Sequence, residues 1–383
     1  MAQPPRIAIL GAGIFVRTEY IPRLAEISHL FTLKAIWSRT EESARGAIEI
    51  AEKLFPKVEC KWGDAGLDQI ILDASIVAVI VVLAAQVQAY LSFLCVDLSL
   101  RLLKAGKHVL QAISEVETAF SRYNSFRTTL PRQPIWAIAE NFRFEPAFVE
   151  GKNLMAHIGS MTNFQIIVEI PINSSSAYFS TPWRHSFTGG YILDIGVHFA
   201  AVLRMVSYFP SFRFVMLRLD LQNDETKKLA GCEVTSVSAM TSHLDTALPP
   251  PDNMCSVVQL ENGCSGVFVT VVSGKTLRMS SRIVGANGTL QIELENRETK
   301  SGYSVTLFMA DGQLKSDFYP ISGVTEELKA FFHHVSQATL KNDNSFEAEP
   351  RISFVEGARD VAVLDAMLES GRRQGVPVQV KRL

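Results

Sequence analysis

Asp194 and His198 stand four residues apart in the stretch Gly189-Gly190-Tyr191-Ile192-Leu193-Asp194-Ile195-Gly196-Val197-His198. That spacing makes two side chains neighbours on one face of a helix. Ile195, Phe199, Val202, Leu203 and Val206 form a separate apolar stripe, so the segment from about Ile192 reads as an amphipathic helix packed on something apolar. A carboxylate in the first turn is favoured by the helix dipole, and beside an imidazole it favours the protonated ring. Such a pair suits alcohol oxidation, where a base removes the hydroxyl proton as hydride leaves carbon. The same spacing also fits a plain surface pair worth a few tenths of a kcal/mol.

A second cluster lies at the other end of the chain. Gly11-Ala12-Gly13-Ile14-Phe15-Val16 follows the apolar run Ile7-Ala8-Ile9-Leu10 and opens a helical pattern. Gly11 permits a tight turn, Gly13 lets a pyrophosphate approach the backbone, and the helix N-terminus presents free amides and a positive dipole end. The third glycine of the usual fingerprint is Val16 here, so the signal rests on its position after the first strand. A strand-to-helix turn without a ligand is the alternative. Ser38-Arg39 ends the second expected strand where an NAD-binding fold carries an acid. A hydroxyl beside a guanidinium offers hydrogen bonds and charge to a 2'-phosphate, which favours NADP over NAD. A solvated loop arginine is the other reading of Arg39.

These residues need elements to position them. The first 140 or so residues alternate apolar runs with helical patterns, predicting a parallel sheet with strands at Ile7–Leu10, Thr32–Trp37, Val77–Leu83, His108–Leu110 and Ile135–Glu140. Beyond Glu150, longer alternating strands are expected at Asn163–Ile172, Arg213–Leu221, Glu233–Ser242, Ser256–Leu260, Ser265–Val272, Thr289–Leu294 and Ser304–Met309. Asn262-Gly263, Asn287-Gly288 and Asp311-Gly312 mark hairpin turns. Helices are expected at Thr325–Leu340 and Ile352–Ser370. The fold class is therefore α/β: a doubly wound Rossmann sheet over 1–142, then an α+β domain with a large, mostly antiparallel open sheet over 143–383, its last helices packing back.

Composition narrows the function classes. The 383 residues carry 37 Lys+Arg against 39 Asp+Glu, leaving no basic field for nucleic acid. Five cysteines lack any C-x-x-C pair, which suits a reduced cytoplasmic enzyme. The N-terminus has too short an apolar run for a signal peptide. Ala74 to Val96 holds no charged residue and is long enough to cross a bilayer. A buried strand followed by a segment polarised by Gln86, Gln88 and Ser92 is the favoured reading, so no membrane partner is expected. The eight histidines, including His333-His334, show no metal-ligand spacing.

Several stretches together resemble the Gfo/Idh/MocA family of oxidoreductases: Gly11-Ala12-Gly13, Ala105-Gly106-Lys107-His108-Val109-Leu110, Glu140-Asn141-Phe142-Arg143-Phe144, Trp183-Arg184, the Gly189 to His198 block, and Gly285-Ala286-Asn287-Gly288. The likeness covers nearly the whole chain. It implies hydride transfer between a nicotinamide cofactor and a sugar-, polyol- or dihydrodiol-like hydroxyl or carbonyl compound. It makes His198 and Asp194 the catalytic pair. Gly11, Ala12, Gly13, Ile14, Phe15, Ser38, Arg39 and Leu83 are then expected to hold the cofactor, with Trp183 and Arg184 near its nicotinamide end. Asn141 and Arg143 are expected on the substrate. A homo-oligomer through the outer face of the C-terminal sheet is implied as well.

Two departures qualify this. The family follows the fourth of those strands with Glu-Lys-Pro, whose lysine contacts the substrate hydroxyl, whereas this chain reads Gln111-Ala112-Ile113-Ser114. Ser114-Glu115-Val116-Glu117 looks instead like a capping box, and Lys107, ahead of the strand, reads as solvated. Upstream, Gln86–Leu103 is longer than the usual crossover, with Ala89–Cys95 reading as two extra helical turns. Both flank one βαβ unit and mark a variant, or a product of altered splicing or gene prediction, on an intact scaffold. Impaired activity is expected, and a non-catalytic dinucleotide-binding sensor or scaffold is the alternative function.

Overall fold

The computed structural model describes residues 4–83, 92–111, 125, 134–181, 184–185, 189–207, 232–340 and 349–382. Ile7, Ala8, Ile9 and Leu10 are all fully buried, as a strand with helices on both sheet faces requires. This strand, β1 (Arg6–Leu10), sits inside a six-stranded sheet ordered β3-β2-β1-β4-β5-β6. Its neighbours are β2 (Thr32–Ser38), β3 (Glu59–Trp62), β4 (Ile76–Val81), β5 (His108–Gln111) and β6 (Trp136–Ile138). Every pairing is parallel. The order reverses between β1 and β4, which places a switch point at the carboxyl end of β1. Of the helices in this part, α1 (Ile21–Glu26), α2 (Glu41–Ala51), α3 (Gly63–Leu72) and α4 (Ser92–Lys104) serve as connections. Strand β3 was not anticipated, because Glu59-Cys60-Lys61-Trp62 at the sheet edge carries neither an apolar run nor a clean alternation.

The second sheet has nine strands in the order β14-β13-β12-β11-β7-β10-β9-β8-β15. They are β7 (Met161–Glu169), β8 (Val234–Ser242), β9 (Asn253–Leu260), β10 (Ser265–Val271), β11 (Arg278–Gly285), β12 (Gly288–Arg297), β13 (Lys300–Met309), β14 (Leu314–Pro320) and β15 (Val378–Gln379). Only β7 and β10 pair in parallel. Along β9, Met254, Ser256, Val258 and Leu260 point inward while Cys255, Val257 and Gln259 point outward, the alternation of a sheet covered on one face. Its core takes in Phe164, Phe268, Ile292, Phe199 and Leu364, contributed partly by α5 (Pro146–Ile158) and α6 (Gly190–Val206). Strands β11, β14 and β15 were missed: Arg278, Ser280, Arg282, Lys315 and Asp317 hide the pattern of the first two, and β15 is two residues long. The strand expected at Arg213–Leu221 lies outside the described residues.

The chain groups into two units, residues 1–141 with 323–358, and 142–322 with 359–383. Beside a division into 1–142 and 143–383 with the last helices packing back, this grouping sets α7 (Gly323–Leu340) and the start of α8 (Phe354–Arg372) with the first unit. The physical reason is packing: Phe332 of α7 stacks on Phe31 with ring centroids 4.7 Å apart, and Thr325 donates to Glu26 Oε2 at 3.0 Å. Phe354 in turn lies against Trp136, centroids 4.3 Å apart. Within the apolar stretch 74–96, β4 and the start of α4 are described; residues 84–91 and the capping box at 114–117 are outside. No helix among the described residues is long and apolar enough to cross a membrane.

Lys107 corrects a reading of the sequence. It is 2% exposed rather than solvated, and its Nζ donates to the carbonyls of Asp73 and Ile76 at 2.8 and 2.9 Å. Lys34 and Ser75 complete this corner by bonding the Asp73 carboxylate. Those hydrogen bonds, Lys34 first, hold the carboxyl far below the usual carboxylate range. Next to Lys107, His108 Nδ1 accepts the Ile135 amide at 3.0 Å, which requires a ring nitrogen free of a proton. Burial pulls its pKa from the ordinary 6.5 down to about 4. The unfolded chain thus binds this proton more readily than the folded one, so the stabilisation is complete above pH 6.5 and is lost as pH falls towards 4. Thermal melts are expected to drop through this window, and His108→Asn, which keeps an acceptor but does not titrate, should flatten the drop; an unchanged profile would contradict the assignment.

Candidate active site

The glycine turn is built by two close backbone contacts. Gly11 N donates to Trp37 O and Val82 N donates to Leu10 O, each at 2.8 Å. Gly11 takes φ +126°, and a Cβ there would lie 2.1 Å from Val82 O. Neither the dihedral nor the space admits a side chain. Gly13 differs: it is exposed, and among the described residues no atom beyond its immediate chain neighbours lies within 4 Å of a Cβ built on it. Protein packing does not demand glycine there, whereas a ligand lying on the turn does. Ala12 is buried and Ile14 and Phe15 are half-buried.

The helix after the turn spans residues 14–26 and contains a π-helical segment, Val16–Tyr20. Val16, at the position of the missing third glycine, is fully buried. Arg17, which sequence reasoning did not single out, braces the turn: its Nε donates to Ala12 O at 2.9 Å and its Nη2 to Ser43 O of α2 at 3.0 Å. The guanidinium lies against Gly46, where a Cβ would come within 2.9 Å. A cation four residues past Gly13 and a glycine inside α2 were the available signals. Ser38 ends β2 half-buried, Arg39 follows it exposed, and Leu83 lies half-buried after β4. These residues form a set able to hold a dinucleotide: a turn and amides for pyrophosphate, and Ser38 with Arg39 for a ribose phosphate.

In the second unit, α6 carries Asp194 and His198 one turn apart. Asp194 Oδ2 accepts Arg184 Nε at 2.9 Å. Arg184 also donates to Thr181 Oγ1 at 3.2 Å and lies over the Tyr178 ring, 4.8 Å from its centroid. Tyr191 OH donates to the carbonyls of Tyr178 and Phe179 at 3.2 and 3.3 Å, tying the preceding loop to the first turn of α6. The structure thus brings Arg184 and Asp194 together, an ion pair that spacing could not reveal because the two lie on different elements. Trp183 lies outside the described residues. The imidazole of His198 stacks on Phe142, with centroids 4.9 Å apart and planes 14° apart.

Asn141 opens a short 3-10 turn, Asn141–Phe144, and is half-buried. Arg143 in that turn is 4% exposed and pairs with the fully buried carboxylate of Asp360. Asp360 Oδ1 also accepts Arg204 Nη1 at 2.7 Å, and Arg204 makes a two-pronged contact with Glu233 at 3.0 Å. Arg143 is therefore part of a buried ionic frame under α6, and a substrate must compete with Asp360 for it. Gln111, where the resemblance places the Glu of Glu-Lys-Pro, is 2% exposed and accepts Trp136 Nε1 at 3.2 Å.

No family model matches the chain. A protein called Dehydrogenase FPY6 from Fusarium mangiferae is 29% identical over 395 residues, covering 98% of this chain and 99% of that protein. Among solved structures, an oxidoreductase from Thermotoga maritima aligns with a TM-score of 0.74 at 22% identity, covering 99% of both chains. Levoglucosan dehydrogenase in complex with NADH and levoglucosan aligns at 0.72 and 18% identity, covering 99% of this chain and 100% of the other. KijD10, a 3-ketoreductase from Actinomadura kijaniata in complex with NADP and TDP-benzene, aligns at 0.68 and 16% identity, covering 96% and 98%.

The two glycines separate fold from ligand. Gly11→Ala is expected to destabilise the first unit by about 2–4 kcal/mol through strain and collision. Gly13→Ala should leave the melting temperature within a degree or two of wild type while weakening NADPH affinity at least tenfold in a fluorescence titration. Equal affinity for Gly13→Ala and wild type would remove the turn from the binding site.

Proposed function

We propose that this chain, whose fold is of the Gfo/Idh/MocA oxidoreductase type, is an NADP-preferring dehydrogenase of sugar- or polyol-like compounds. The observation that carries the reading is the glycine turn, where Gly11 is imposed by the backbone and Gly13 by no neighbour among the described residues. Gly11, Ala12, Gly13, Ile14 and Phe15 hold the pyrophosphate, Ser38 and Arg39 hold the 2'-phosphate, and Leu83, Trp183 and Arg184 serve the nicotinamide end. When bound, the nicotinamide supplies the hydride acceptor or donor. His198 takes the substrate's hydroxyl proton on a ring nitrogen as the carbon is oxidised, and returns it in the reverse direction. Arg184 fixes the orientation of Asp194, Asn141 contributes to the substrate end, and Arg143, held by Asp360, braces the turn that Asn141 opens. The sugar-like substrate class is supported by the levoglucosan complex of one structural relative.

A second reading is favoured by one specific observation. The Glu-Lys-Pro lysine is absent, Gln111 is buried against Trp136, and Lys107 is committed to backbone carbonyls. Loss of one acid/base group costs about 10²- to 10⁴-fold in rate, so turnover through His198 alone is slow, and a dinucleotide-binding sensor is the competing function. Mixing the protein with NADP and a panel of sugars and polyols should produce slow absorbance growth at the reduced-nicotinamide band. His198→Asn and Asp194→Asn are each expected to lower that rate at least a hundredfold. Tight dinucleotide binding with no turnover across the panel, and no gain when Glu-Lys-Pro is restored, would favour the sensor.

The protein is also proposed to be a cytoplasmic homodimer. Free thiols at Cys60, Cys232, Cys255 and Cys264 fit a reducing compartment. On the outer face of the second sheet, Val257 and Val267 are 56% and 37% exposed and directly opposite each other across β9 and β10, with Met240 and Cys255 also exposed. Such a patch is covered by a second copy. Light scattering should return twice the chain mass, and Val257→Lys with Val267→Lys should halve it; a monomeric wild type would refute the dimer.

A further inference from the structure

His198 has an aromatic partner that no spacing rule assigns to it. Phe142 lies with its ring almost parallel to the imidazole, and it is itself stacked on Phe148, with centroids 5.6 Å and planes 21° apart. Phe199, the residue after His198, meets the same ring edge-on at 5.2 Å and 64°. Phe142 is thus held by two phenyl rings and presents one π-face to one imidazole. A stack of this kind restricts rotation of the imidazole about its χ2 bond and favours its cationic form, since a ring face attracts positive charge.

The turn that carries Phe142 is anchored a second time. Its neighbour Arg143 pairs with Asp360, and Asp360 also takes Arg204, which lies six residues beyond His198 on α6. The turn and the helix are therefore joined both by the ring stack and by a buried carboxylate shared between two arginines. A drift of Phe142 along α6 would break one of these contacts. The charged side chains of this turn and helix are paired with one another: Asp194 with Arg184, Arg143 with Asp360, and Arg204 with Asp360 and Glu233. The Phe142 face, parallel to the imidazole, acts on how His198 is oriented and how readily it holds a proton.

We propose that Phe142 is a positioning residue for His198, fixing the imidazole plane and favouring its protonated state. This rests on the reading of His198 as the proton-transfer group. Phe142→Leu keeps apolar volume and removes the π-face, whereas Phe142→Trp keeps a face. The first readout is the titration of the His198 ring signal by NMR in labelled protein, assigned by its disappearance in His198→Asn. Phe142→Leu should lower the midpoint by about half to one pH unit, and lower kcat about 10- to 100-fold with KM within about twofold, because orientation counts in the transition state. Phe142→Trp should keep both close to wild type.

A His198 midpoint and kcat unchanged in Phe142→Leu would overturn the proposal, as would equal losses in the Leu and Trp variants, the signature of packing alone. The two layers fail separately. If wild-type protein transfers no hydride, the functional reading falls, while the NMR midpoints still decide whether Phe142 governs the imidazole.

Discussion

A carbonyl oxygen sets the terms for the first unit. Val82 O sits where a Cβ on Gly11 would be, 2.1 Å away, so the chain leaves β1 with its backbone pressed against the end of β4. That contact forces glycine, the positive φ and the direction of the turn. It also opens the helix of residues 14–26 directly after β1, at the switch point of the sheet. Arg17 then locks the arrangement by binding a carbonyl of the turn and a carbonyl of α2 with one guanidinium. The geometry of the turn is a by-product of how tightly two parallel strands and a turn can pack.

The second unit solves a different problem, which is to hold an imidazole and a carboxylate still on one half-buried turn of helix. Packing of the apolar stripe against the nine-stranded sheet fixes the helix axis. Polar contacts fix the rest: Arg184 takes Asp194, Tyr191 ties the preceding loop through two carbonyls, and Asp360 clamps Arg143 and Arg204. Burying Asp360 with two guanidiniums is costly unless every oxygen is satisfied, and both of its oxygens are paired here. Rigidity at the surface of α6 is thus maintained by a charged network beneath it.

Much of this was legible from residue order, and the parts that were not have physical causes. Continuous apolar runs such as Ile7–Leu10 and alternating ones such as β9 announce their sheets because burial on two faces and on one face leave different patterns. Edge and polar strands, Glu59–Trp62 and Leu314–Pro320, bury too little to leave a pattern. The grouping of α7 with the first unit depends on a contact between Phe332 and Phe31, three hundred residues apart in sequence, which no local period encodes. Lys107 was misread for a related reason: a lysine before a strand is normally solvated, and only the tertiary fold supplies the two carbonyls that receive it. Within the site, Asp194 and His198 were visible as a helical pair, but their actual neighbours, Arg184 and Phe142, come from other segments.

The central claim is that the turn at Gly11 to Gly13 holds a dinucleotide carrying a 2'-phosphate. Isothermal titration calorimetry of the full chain with NADP and with NAD tests it most directly. One saturable site per chain is predicted, at least tenfold tighter for NADP than for NAD. No heat with either nucleotide, from protein that melts cooperatively, would contradict the account.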